Sequence, residues 1–203
     1  HLDHCTSFDL IVQAIKAGFT SVMFDGSRLP FAENMKLTQE VVRVAHAAGV
    51  SVEAELGKVG GKEDQIRVAD DEATMTDPVE AAEFVAATRV DCLAVAIGTA
   101  HGPYQGKPKL NFPLLKELHS RLDLPLVLHG GSGLPDTDIR EAVRLGIRKF
   151  NVWTDLAVAQ LATIRRILQE QPGLYDPRKL LAPSMTAIKK VVKEKIMLVA
   201  GSF

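Results

Sequence analysis

Residues 1–25, "HLDHCTSFDLIVQAIKAGFTSVMFD", decide the fold. The stretch begins on a short polar-studded run, His1-Leu2-Asp3-His4. It continues with Leu10, Ile11, Ala14 and Ile15 at helical spacing, preceded by Ser7 as a suitable cap and closed by Gly18. "TSVMFD", residues 20–25, is then a short apolar run with the length of a buried strand. One unit of strand end, helix and strand is therefore complete within 25 residues.

The unit recurs along the chain. Strands are expected at 20–25, 50–56, 91–98, 124–130 and 149–153, with "HLDH" as the tail of an earlier one. Between them lie helical stretches at 31–48, at "VEAAEFVAAT" behind the Asp77-Pro78 cap, at 112–122 and at 136–145. "DLAVAQLATIRRILQE" and "SMTAIKKVVKEKIMLVAG" follow the last strand. Such alternation implies parallel strands with right-handed crossovers, in a doubly wound sheet or a (β/α)8 barrel. Six strands in 203 residues fall about two βα units short of the ~250 residues usual for a barrel. The expectation is an α/β chain forming a (β/α)8 TIM barrel whose first two strands are absent from the N-terminal side. Residues 1–203 would be a single, N-terminally incomplete catalytic barrel domain of a longer parent chain.

Composition narrows the function. Lys and Arg number 24 against 25 Asp and Glu, for a net charge of −1, which gives no reason to expect a nucleic acid or an anionic membrane as partner. No apolar run approaches the ~20 residues that would span a bilayer. Two cysteines, Cys5 and Cys92, lie in or beside apolar runs, which fits reduced thiols and a cytoplasmic setting better than a disulfide framework.

Active sites of barrels lie at the carboxyl ends of the strands, and the notable polar residues fall there. His4, His101 and His129 each follow an apolar run, and three histidines from three strand ends can converge on one ion. Asp3 precedes His4, Asp25 ends the second run, and Glu53 and Glu55 are two apart, so a strand directs both to one face. Glu63 lies beyond the glycines of "GKVGG", which read as a flexible loop able to swing a carboxylate over the site. "HGGSG", 129–133, and "NVWTD", 151–155, each put small or donor residues ahead of a helix, the arrangement that binds phosphate after the last two strands of a barrel. Lys149 begins its strand and so reads as lying at the opposite end from any catalytic group.

These residues resemble the class II, metal-dependent fructose-bisphosphate and tagatose-bisphosphate aldolases. "HLDH" is similar to the first family signature and "VEAELGKVGGKE", 52–63, to the second. "AIGTAHG", "VLHGGSG" and "NVWTD" follow in family order. The resemblance implies zinc on His4, His101 and His129, and a second, weaker metal on Asp25 and Glu55 in some members. It implies acid/base roles for Asp3 and for Glu63. It assigns the dihydroxyacetone phosphate site to Gly102, to Gly130, Gly131 and Ser132, and to Asn151, Val152, Trp153 and Thr154. Backbone oxygens around Gly102, Gly130 and Ser132 resemble a monovalent-cation site (Na+ or K+) of some members. The implied reaction is reversible cleavage of a ketose 1,6-bisphosphate to dihydroxyacetone phosphate and glyceraldehyde 3-phosphate, in a homodimer or homotetramer. The alternatives are a 6-phospho-5-dehydro-2-deoxygluconate aldolase, a non-catalytic phosphosugar-binding barrel and a metal-dependent hydrolase barrel. The last usually spaces its first two histidines one residue apart, whereas "HLDH" spaces them by two.

Overall fold

The computed structural model describes residues 1–63, 66–69, 73–102, 104, 106 and 108–201, and only the backbone of residues 62, 63 and 66–68. The elements run β1 (Leu2–Cys5), α1 (Phe8–Lys16), β2 (Ser21–Phe24), α2 (Phe31–Ala47), β3 (Ser51–Leu56), β4 (Gly60–Glu63), β5 (Ile66–Val68) and α3 (Pro78–Thr88). They continue with β6 (Cys92–Val95), β7 (Ala100–His101), α4 (Phe112–Arg121), β8 (Leu126–Leu128), α5 (Asp136–Arg144), β9 (Ile147–Phe150), α6 (Thr154–Glu170) and α7 (Pro177–Ala200). Local chemistry accounts for the helix starts. The Ser7 hydroxyl accepts from the Leu10 amide at 3.4 Å, and the Asp77 carboxylate accepts from Val79 and Glu80 at 2.7 and 3.0 Å.

Six parallel strands form the main sheet in the order β1-β2-β3-β6-β8-β9. Every crossover moves one place in the same direction, and the order never reverses as it would in a doubly wound sheet. The sheet also curls. Asn151, just past β9, donates to both carboxylate oxygens of Asp3 on β1 at 3.2 Å, although these strands are the two ends of the order. This is the wall of a (β/α)8 barrel, with helices on its outer face.

Side-chain alternation divides the wall into two surfaces. Val22, Phe24, Val52, Ala54, Leu93, Val95, Leu126, Leu128 and Ile147 point outward into one core shared with the helices. Met23, Ala94 and Val127 form a separate small cluster on the other face, with Cys92 against it. Glu53 is paired in register with Met23 and Cys92, Glu55 with Ala94, and Lys149 with Val127, so these charged residues share the inner face.

Four expectations change. The last strand is Ile147–Phe150, not 149–153. Consecutive Arg148 and Lys149 look unlike buried strand, but the strand tolerates both because Arg148 is exposed and the Lys149 ammonium meets a carboxylate. Lys149 thus lies near the carboxyl end of its strand, on the catalytic side. The last helix begins at Pro177 behind an Asp176 cap rather than at Ser184. Pro183 suggests a break because it has no N–H to continue the ladder, yet the helix runs through it. "GKVGGKE" is not an open loop, for Gly60–Glu63 forms β4, antiparallel to β5 and parallel to β7. No helix among the described residues is long and apolar enough to cross a membrane.

Candidate active site

The strand ends place the site. Consecutive residues of a regular strand face opposite ways, yet Asp3 and His4 both reach the inner face. The β1–β2 register shifts between Leu2 and Cys5, and His4 has φ +45°, a left-handed backbone uncommon for a side chain that is not glycine. This bulge turns His4 inward beside Asp3 and returns Cys5 to the outer core.

His4, His101 and His129 each offer a ring nitrogen within 4.8 Å of the others. The His4 Nδ1–H donates to Asp25 at 2.9 Å, and the His129 Nε2–H donates to Glu53 at 2.8 Å. Carboxylates accept only, so these bonds fix both tautomers. The inner nitrogens, His4 Nε2 and His129 Nδ1, then carry lone pairs and face each other at 2.7 Å. A cation between them would satisfy both. Imidazoles backed by carboxylates and converging on one point are the donor set of a metal site of the zinc type.

Electrostatics keeps these groups in the states a metal needs. Burial pushes the His129 pKa down and outweighs the opposing pull of Glu53, so the ring is neutral. Burial works against the charged form of Asp25, but hydrogen bonds from His4 and Ser27 outweigh it and hold the carboxyl below its usual range. Glu53 behaves alike. Burial opposes its charge, and the bond from His129 together with the Lys149 ammonium lowers its pKa overall.

Asp25 and Glu55 are buried and form, with His4, a second group of ligand atoms within 4.8 Å of one another. Asp3 stands at the rim with its side chain 43% exposed. Glu63 ends β4, and its side chain lies outside what the structure describes.

Beside the histidines, His101, Gly102, Gly130, Gly131, Ser132, Asn151, Trp153 and Thr154 line one recess. It lies at the N-terminus of α6, where helix amides favour an anion. The Ser132 hydroxyl accepts from the Asp155 amide at 3.1 Å and joins the glycine loop to that helix. Trp153 is 64% exposed, so it flanks the recess rather than packing in the core. The Val152 side chain is directed elsewhere and lines an apolar groove with Phe150, Leu156, Val192 and Ile196.

Sequence reasoning passed over three contributors. Tyr104 donates to the Gly130 carbonyl at 2.8 Å and accepts from the Ala100 amide at 3.0 Å, tying together the loops that carry His101 and His129. His1 lies 3.6 Å from both Asp3 and Glu53. Lys149 lies 2.8 Å from Glu53 and from Asn151. Its signal was parity, since Lys149 is two residues before Asn151 and shares its face.

Known proteins resemble this chain. A family model described as fructose-bisphosphate aldolase class-II matches residues 1–202. The fructose-bisphosphate aldolase of Staphylococcus epidermidis is 50% identical over 196 residues, which are 97% of this chain and 68% of that protein. That of Geobacillus stearothermophilus is 48% identical over the same shares. Among solved structures, the YdjI aldolase from Escherichia coli K12 aligns with a TM-score of 0.82 at 41% identity, over 97% of this chain and 67% of that one. A putative fructose-1,6-bisphosphate aldolase from Coccidioides immitis aligns with a TM-score of 0.87 at 29% identity, over 100% and 71%. A curled parallel sheet, three histidines converging at its carboxyl end and a match over nearly every residue agree: this chain belongs to the class II fructose-bisphosphate aldolase family, a family of carbon–carbon lyases.

Proposed function

We propose that this chain is a single catalytic barrel domain that cleaves a ketose 1,6-bisphosphate, fructose or tagatose, to dihydroxyacetone phosphate and glyceraldehyde 3-phosphate with zinc. The observation that carries the reading is the histidine cluster, whose facing lone pairs are held by Asp25 and Glu53. His4, His101 and His129 would hold the zinc. When bound, the ion supplies Lewis-acid polarisation of the substrate ketone and its adjacent hydroxyl.

The chain's own residues do the rest. Asp3 accepts the proton of the hydroxyl at the breaking carbon–carbon bond. Its exposure leaves it accessible to substrate, and the Asn151 amide holds it in place. Glu63 delivers a proton to the carbon of the ketose-derived fragment. Gly102, Gly130, Gly131, Ser132, Asn151 and Thr154, with the amides of Val152 and Trp153, seat the phosphate at the α6 N-terminus and fix the reacting carbon beside Asp3. Asp25 and Glu55 are the donors for a second, weaker metal. Backbone oxygens of the glycine loops suit a monovalent cation, and the working assembly is a homodimer or homotetramer.

The test is a coupled assay for dihydroxyacetone phosphate on fructose and tagatose 1,6-bisphosphate, with and without a chelator. Chelator-sensitive cleavage supports the reading, and the ratio of the two rates names the substrate. A zinc-loaded protein that cleaves neither overturns it.

A further inference from the structure

We propose that Lys149 is a positioning residue: its ammonium, 2.8 Å from Glu53 and 2.8 Å from Asn151, sets how these two side chains face His129 and Asp3. The inference deepens the metal-aldolase reading and rests on it for the roles of His129 and Asp3.

An amide side chain can present either end to a neighbour. The Lys149 ammonium only donates, so the Asn151 Oδ1 must face it. The Asn151 NH₂ is thereby turned to Asp3, 3.2 Å from each carboxylate oxygen. With the amide reversed, its oxygen would confront the carboxylate and its NH₂ would confront the ammonium. Lys149 and Asp3 thus select the same orientation of the amide, and Lys149 pins its oxygen end so that the NH₂ stays on Asp3.

The second arm runs through Glu53. Its Oε2 faces the lysine and its Oε1 accepts from His129 Nε2–H at 2.8 Å. Anchoring one oxygen fixes the other under His129 and keeps Nδ1 as the inward atom. The same contact explains a neighbouring cluster. His1, Asp3 and Glu53 offer atoms within 4.8 Å of one another, the spacing of a metal site. There Lys149 already supplies the positive charge, on Glu53 Oε2 itself.

The experiment is a double-mutant cycle of Lys149→Met and Asn151→Ala in the full chain, with Lys149→Arg as the conservative variant. Zinc affinity is read by chelator competition, and kcat and KM by the coupled cleavage assay. Lys149→Met is expected to weaken zinc about tenfold and to cut kcat about ten- to a hundredfold, with KM little changed. Lys149→Arg is expected to recover most of the zinc affinity. In the Asn151→Ala background, with zinc saturating, Lys149→Met is expected to cost little further kcat, because the route to Asp3 is already lost, while it still weakens zinc through Glu53. Fully additive losses in kcat, or a Lys149→Met protein equal to wild type in both readouts, would overturn the proposal. Should Lys149→Met fail to fold, Lys149→Gln, which keeps an amide donor without the charge, takes its place in the cycle. A wild-type protein with no cleavage overturns the aldolase reading, and the zinc affinity of the Lys149 variant then decides the proposal alone.

Discussion

Glu53→Gln changes one buried oxygen into an NH₂ group and leaves shape and volume almost untouched. Both oxygens of Glu53 face donors, with His129 Nε2–H 2.8 Å from Oε1 and the Lys149 ammonium 2.8 Å from Oε2. A glutamine has one oxygen to offer. If its NH₂ faces Lys149, two donors meet inside the barrel. If its NH₂ faces His129, the ring must move its proton to Nδ1, the atom directed at His4. Either way one charge-assisted bond is lost, at a cost of about 1.5–3 kcal/mol to folding stability. Loss of such a partner behind a ligand histidine lowers metal affinity about ten- to a hundredfold, or about 1.4–2.7 kcal/mol. Urea unfolding of the metal-free protein reads the first quantity, and zinc competition against a chromogenic chelator reads the second. Zinc affinity within twofold of wild type, together with unchanged stability, would refute the claim that Glu53 sets the His129 tautomer.

Gly130→Ala puts a side chain at φ +67° with its Cβ 2.5 Å from the Ala100 carbonyl oxygen. Left-handed backbone and backbone overlap together should cost about 2–5 kcal/mol, read as a lower urea midpoint, and should weaken zinc binding as the His101 segment is pushed away. Asp3→Ala should keep its zinc by elemental analysis and lose cleavage by about 10²–10⁴-fold; full activity would remove Asp3 from the mechanism. Burial and the nearby Glu53 charge push the Cys92 thiol up to about 12, so at pH 8 it is not a thiolate, and the Cys5 side chain is buried away from reagent. A disulfide reagent should titrate both thiols only after denaturation, and a fast phase in the native protein would contradict the burial.

The order of strands and helices was legible because buried parallel strands are short apolar runs and the intervening helices carry clear caps at Ser7 and Asp77. The ligand histidines and Asp3 stood out because they are polar residues at the ends of apolar runs. The support behind them did not. Glu53 and Glu55 were visible as an inward pair, but that Glu53 backs His129 depends on contact between residues 76 positions apart. Lys149 was misplaced because a charged residue inside a strand is stable only with a partner that periodicity does not reveal. The bulge at His4 is likewise invisible to a two-residue repeat, since a regular strand would have turned either Asp3 or His4 away from the site.

The bond between Asp3 and Asn151 joins residues 148 positions apart, and this gives the site a place in time. A ribosome adding about 5–20 residues per second finishes Asp3 about 7–30 s before Asn151. Through that interval Asp3 and His4 exist without the loops that complete them. Contacts of such sequence separation form late in folding, because the closing of a long loop must precede them. The histidine cluster is therefore among the last parts of the molecule to assemble. A metal captured there would wait for the segment that carries His129, so its uptake rate would report the docking of that segment against β1 and serve as a clock for this late step of folding.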